Sequence, residues 1–209
     1  MFLIGMFDSP FVRRVAVSMN WLGIPFEHAN WSVGADHAQI SRHSPLGRVP
    51  TLVLDDETVL IDSSAILDYL DAMVGPERAL MPSSGTPRRE VMQLAALAVG
   101  AAEKGREQIY ERVFRPTEKR HEPWLERCRR QMHGALGELE RWRASHPRSW
   151  IAGEQLTQAD ITVTCCWTFL VESVALNASL YPELARLVAS CEVLPEFRST
   201  HVPWNAPHP

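Results

Sequence analysis

Apolar positions follow two different rhythms along the chain. Up to about residue 75 short apolar runs alternate with amphipathic stretches, and from about residue 88 nearly all apolar positions recur at helical spacing. In the first part, Met1 to Met6 reads as a buried strand. Pro10 to Leu22 reads as a helix with Val12, Val15, Ala16 and Met19 on one face, and Gly23 is placed to stop it. Phe26 to Asn30 is a second strand. Thr51 to Leu54 and Val59 to Ile61 flank the polar link Asp55 to Thr58 as a hairpin would. A helix from Ser63 to Val74 follows, striped by Ile66, Leu67, Leu70, Met73 and Val74 and stopped by Gly75.

Counting one short irregular or helical piece before the hairpin, the order is βαβαββα, that of a thioredoxin-like α/β domain. The second part contains at least four helical patterns: Arg88 to about Phe114, Trp124 to Ala144, Gln158 to about Leu176, and Pro182 to about Cys191. In the second of these, Leu125, Cys128, Met132, Leu139 and Trp142 share a face. Between the two parts Gly75, Pro76, Pro82, Ser83, Ser84, Gly85 and Pro87 break regular structure. The expected architecture is an N-terminal domain over 1–78, a linker over 79–87 and an all-α C-terminal domain over 88–209. Most of the seven tryptophans are read as core area of the helical domain.

Composition narrows the partners. A chain of 209 residues with 45% apolar positions can bury a sizeable core without disulfides. Its formal charge of -4, with both signs interspersed, suggests neither a nucleic-acid nor a membrane partner. No stretch approaches the roughly twenty apolar residues of a membrane helix. The first residues lack the basic start of a signal peptide, and Asp8 interrupts the apolar run. Cys128, Cys165, Cys166 and Cys191 show no C-x-x-C spacing, so neither a metal site nor a disulfide framework is expected, and the setting is read as cytoplasmic.

Three segments could carry chemistry. Ser9 and Pro10 begin the first helix: the serine can cap it, or its hydroxyl can donate to an anion held at the helix's positive end. Arg48, Val49, Pro50 and Thr51 precede a strand. The proline can be an edge device, or a cis bond there can turn the Val49 backbone outward to pair with an extended peptide. Asp62 and Ser63 open the next helix, where either can cap, or the free amides and the acid can together hold an amino acid's carboxylate and ammonium.

Together these segments resemble the glutathione transferase superfamily, particularly its serine-type classes, over nearly the whole chain. The elements that carry the resemblance are S-P-F, R-V-P and D-S-S-A-I-L-D-Y-L. In the second half, Gly153 to Ile161 looks like the family's helix-starting motif, with Thr157 and Asp160 spaced as a capping box; it is read as structural. The resemblance implies Ser9 as the activating hydroxyl. It places Phe11 and Pro50 in the glutathione site, Val49 at the cysteinyl backbone, and Asp62 with Ser63 at the γ-glutamyl end. Arg48 is a candidate for the glycine carboxylate. Asp62 stands where many members carry Glu or Gln. Arg13 and Arg14 are read as solvated or structural charges.

The activity so implied is conjugation: glutathione is a co-substrate, no metal or other cofactor is needed, and the thiolate attacks a small hydrophobic electrophile. Phe11, Tyr110, Phe114 and Trp167 are candidate walls of that second pocket, with core packing as the alternative for each. A homodimer is implied by the resemblance. Disulfide exchange is disfavoured, because no cysteine precedes Cys128. A non-catalytic ligand carrier, or glutathione-dependent peroxidase or isomerase chemistry, remains as an alternative.

Overall fold

The computed structural model describes residues 1–206. Strands β1 (Phe2–Ile4), β2 (Glu27–Ala29), β3 (Thr51–Val53) and β4 (Val59–Ile61) form one sheet in the order β2-β1-β3-β4. β1 runs parallel to β2 and antiparallel to β3, and β3 pairs antiparallel with β4. Helices α1 (Pro10–Leu22), α2 (His37–His43) and α3 (Ser63–Val74) complete a thioredoxin-like domain. The helical domain comprises α4 (Gly85–Val113), α5 (Glu122–Ser145), α6 (Gln158–Val174), α7 (Pro182–Glu192) and α8 (Pro195–Arg198). The strands are one to three residues shorter than their apolar runs, except β4, which coincides with its run. The helix expected at Arg88 starts at Gly85, three residues earlier, and α8 was not anticipated.

Local chemistry explains the boundaries. Gly23 takes a left-handed φ of 68° and its amide returns to the Met19 and Asn20 carbonyls, closing α1. At the start of α6, Asp160 is fully buried. It accepts from the amides of Ile151 and Thr157, each at 2.8 Å, and from the Thr157 hydroxyl at 2.9 Å. That shared carboxylate fixes the loop before α6 to the helix it opens.

One core runs through both domains. Val12, Val15, Ala16 and Met19 of α1 are fully buried, as is Leu139 of α5, and Ile161 and Leu170 of α6 join them. Each such Leu, Ile or Val contributes about 1.5–3 kcal/mol by leaving water. Arg13 and Arg14 are not solvated: each is only 3% exposed, because α1 is packed against α3 on one side and α6 and α8 on others. Arg13 holds Glu192 through two bonds of 2.8 and 2.6 Å and reaches the Phe197 carbonyl at 3.1 Å. Among the described residues, no helix is long and apolar enough to cross a membrane.

Candidate functional site

Sheet register brings the three sequence segments to one edge. Ile4, the last residue of β1, pairs with Thr51, the first of β3, and Thr51 pairs with Ile61, the last of β4. The loop to Ser9, the Val49–Pro50 turn and the mouth of α3 therefore leave the sheet side by side.

Ser9 occupies the N-cap position of α1 in extended conformation, and Pro10 follows inside the helix. Its carbonyl accepts from the Arg13 amide at 2.9 Å, but its side chain makes no capping bond. The hydroxyl is therefore not spent on the helix, and Ser9 lines the cavity at the positive end of this 13-residue helix.

The Val49–Pro50 peptide bond is cis. Among the described residues, neither the amide nor the carbonyl of Val49 hydrogen-bonds within the chain. Gly5 lies directly behind this turn at φ 130°, where an added Cβ would fall 2.6 Å from Val12 Cγ2 and 2.7 Å from Val49 Cβ. Only a residue without a side chain lets the turn sit this close to α1. His28 Nε2 donates to the Gly5 carbonyl at 2.7 Å and holds the loop from the other side.

At the mouth of α3, the Asp62 carboxylate caps the helix by accepting from the Ser64 amide at 2.8 Å. Asp62 has a left-handed φ of 69°. Ser63 is buried, and Arg14 Nη2 donates to the hydroxyls of both Ser63 and Ser64 at 2.8 Å. Arg14 thus sets a buried positive charge behind this helix mouth. Burial lowers its pKa, partly offset by the negative charge of Asp62. Neither Pro50, Asp62 nor Ser63 lines the main cavity.

That cavity has a volume of about 490 Å³ and lies between the domains. Ser9, Phe11, Arg48 and Val49 line it from the first domain, and Tyr110 and Phe114 from α4 and its end. Tyr110 and Phe114 are 38% and 43% exposed and stack edge to face with centroids 5.1 Å apart, as wall residues rather than core. Trp167 is a correction: it is buried in α6 against Tyr181, edge to face at 5.9 Å, and does not reach the cavity. Its place in the apolar interior follows from α6 being covered by α4, α1 and α7.

Several wall residues had no sequence signal assigned to them. Arg106 precedes Tyr110 by one helical turn on α4, so i,i+4 spacing from the candidate wall could have found it. Trp31 and Trp204 also line the cavity; Trp31 belongs to the first domain, and Trp204 is partly buried against the core as well. Trp204 arrives on a tail without periodicity, held where Glu172 accepts from His201 Nε2 at 3.0 Å and from the Trp204 amide at 2.9 Å. Asp8 accepts from the Asn205 amide at 3.2 Å, and burial raises its pKa. Burial also raises the Tyr110 hydroxyl, against the charges of Arg106 and Arg48. Among the described residues, no group of three His, Cys, Asp or Glu side chains is arranged to hold a metal ion.

A thioredoxin-like domain with a cis-proline turn, joined through one core to a helical domain, is the architecture of glutathione transferases. Residues 3–78 match the glutathione S-transferase N-terminal domain model and residues 122–205 the C-terminal domain model. The chain belongs to the glutathione S-transferase superfamily. The uncharacterized GST-like protein YibF of Escherichia coli K12 is 33% identical over 140 residues, covering 66% of this chain and 67% of that protein. A glutathione S-transferase from Methylobacterium radiotolerans, solved with glutathione sulfonate, superposes with a TM-score of 0.90 at 29% identity over 98% of this chain and 95% of that one. A family member from Pseudomonas fluorescens Pf-5 with bound glutathione gives 0.80 at 31% identity over 97% and 99%.

Proposed function

We propose that this protein is a glutathione transferase in which Ser9 activates the thiol for attack on an electrophilic carbon. The observation that carries the reading is the Ser9 hydroxyl. It is not used as a cap, it belongs to a residue that lines the inter-domain cavity, and Val49, whose backbone amide and carbonyl make no hydrogen bond among the described residues, lines the same cavity. In this reading the Val49 amide and carbonyl pair with the cysteinyl unit of glutathione. The γ-glutamyl end lies at the α3 mouth, where Ser63 and Asp62 meet it with Arg14 behind. Arg48 serves the glycine carboxylate, Phe11 forms a wall of the site, and Pro50 sits behind it in the turn that presents Val49.

Magnitudes support one hydroxyl as sufficient. A thiol near its ordinary pKa of about 8.5 is only a few per cent thiolate at neutral pH. Lowering it by about two units takes roughly 2.7 kcal/mol of preference for the anion. A hydrogen bond to a charged group contributes about 1.5–3 kcal/mol and a helix N-terminus about 0.3–1. The proton leaves to solvent, and the thiolate attacks a compound lodged against Phe11, Tyr110 and Phe114. No metal or redox group is required by this chemistry.

The test is Ser9→Ala, followed by the ultraviolet absorbance of bound thiolate against pH and by conjugation rate at fixed glutathione. The expected result is a bound-thiol pKa higher by about 1–2 units, with a matching rate loss near neutral pH. Unchanged ionisation and rate would remove Ser9 from the mechanism.

A further inference from the structure

The charges lining the cavity are unbalanced. Among the described residues they are two guanidinium groups, Arg48 and Arg106, against one carboxylate, Asp8. Asp8 is already bonded to the Asn205 amide, and burial favours its neutral form. In the glutathione pose above, Arg48 serves the glycine end beside the Val49 turn. Arg106 is left without an assigned anion.

Its surroundings are unusual for a cation. The guanidinium carbon lies over the rings of both Phe11 and Tyr110, 5.8 Å from each centroid. A role as a prop for these two rings would account for that stacking. It leaves the N–H groups without a strong acceptor, because an aromatic face accepts a donor only weakly. Among the described residues the acid in reach is neighbouring Glu107, at 3.5 Å, the limit of a hydrogen bond. Among the described residues Arg106 Nε has no hydrogen-bond partner, a feature it shares with Arg13, Arg14 and Arg143. A fork of donors held at an apolar wall fits a planar carboxylate.

We propose that the second substrate is an anionic aromatic electrophile, its carboxylate paired with Arg106 and its ring lying against Phe11, Tyr110 and Phe114. The inference rests on the transferase reading and narrows its substrate class. For an aryl halide, the glutathione thiolate forms a carbon–sulfur bond at the carbon bearing the halogen. The carbon–halogen bond then breaks, and halide leaves with the bonding pair. The thiol proton passes to solvent, and the carboxylate is unchanged throughout.

The experiment compares 4-chloro-3-nitrobenzoate with 4-chloro-3-nitrobenzamide at saturating glutathione, each kcat/KM divided by the uncatalysed rate. The expected ratio favours the acid by roughly tenfold, as one charged hydrogen-bond pair at a partly exposed site allows. Arg106→Gln should bring the ratio to within about twofold, and Arg106→Lys should retain part of it as a point charge. Any influence of Arg106 on the thiol cancels in the ratio. Parity in the parent protein, or an equal loss for both compounds in Arg106→Gln, would overturn the proposal. If neither compound turns over, aryl-halide conjugation fails as the chemistry, separately from the anion subsite. Calorimetric binding of the two S-aryl-glutathione conjugates then decides: a preference for the acid that Arg106→Gln abolishes sustains the anion subsite, and parity removes it.

Discussion

Replacing Gly5 with alanine would test how the site is held. The backbone there has φ 130°, where an L side chain is strained at a cost of about 1–3 kcal/mol. The new methyl would also lie 2.6 Å from Val12 Cγ2 and 2.7 Å from Val49 Cβ. Val12 is fully buried in α1, and a Cβ moves only with its own backbone. Relief must therefore come from shifting the Val49 turn, and overpacking of this kind costs about 1–3 kcal/mol. The sum, about 2–6 kcal/mol, corresponds at about 2–4 °C per kcal/mol to a midpoint lower by roughly 4–24 °C. Because the relieving movement carries away the backbone proposed to pair with the cysteinyl unit, glutathione affinity should weaken even where the variant is fully folded. Thermal unfolding by circular dichroism and calorimetric titration with glutathione at low temperature measure the two effects. A parental midpoint would refute the packing argument, and a lowered midpoint with parental affinity would refute the link from Gly5 to Val49.

Two further outcomes follow from buried charges and thiols. Burial acts to raise Glu192, but the hydrogen bonds and charge of Arg13, with the Thr168 hydroxyl, hold its pKa below the ordinary 4.5. A depressed folded-state value contributes stability above the unfolded pKa that is lost as pH falls through the folded one. Glu192→Gln should then be less stable than the parent at neutral pH by about 1–3 kcal/mol. In urea titrations across the acid range, that gap should close below the ordinary pKa, and a constant gap would contradict the assignment. Burial pushes Cys165, Cys166 and Cys191 up to about 12, so these thiols are neutral in the folded chain. A chromogenic disulfide reagent at about pH 8 should leave them unreacted until denaturant is added; rapid reaction of any of the three in the native protein would show that burial does not protect it.

The elements most legible in the sequence are those set by chemistry within a few residues. Pro10 and Gly23 bound α1 where the pattern places them, and Thr157 with Asp160 forms the capping box its spacing implies. Helix starts without such a marker drift: α4 gains Gly85 to Pro87, residues that read as a linker. The candidate site was legible as three segments but not as a closed cavity. Side-chain size says that Trp167 and Trp204 will lose water, yet not that one meets Tyr181 inside the helical domain while the other comes off a tail onto the cavity. Arg13 and Arg14 had the opposite difficulty. A basic pair on a helix is ordinarily a wet face, and only packing on several sides of α1 makes it interior.

That interior pair governs how the molecule can flex. Arg13 fastens α1 to Glu192 and the Phe197 carbonyl in the helical half, while Arg14 fastens it to Ser63 and Ser64 in the other. Swinging the halves apart like a clamshell would pull Arg13 from both of its partners and open the shared core to water. The 201–206 segment, whose Trp204, Asn205 and Ala206 line the cavity, is moored separately through Glu172 and Asp8.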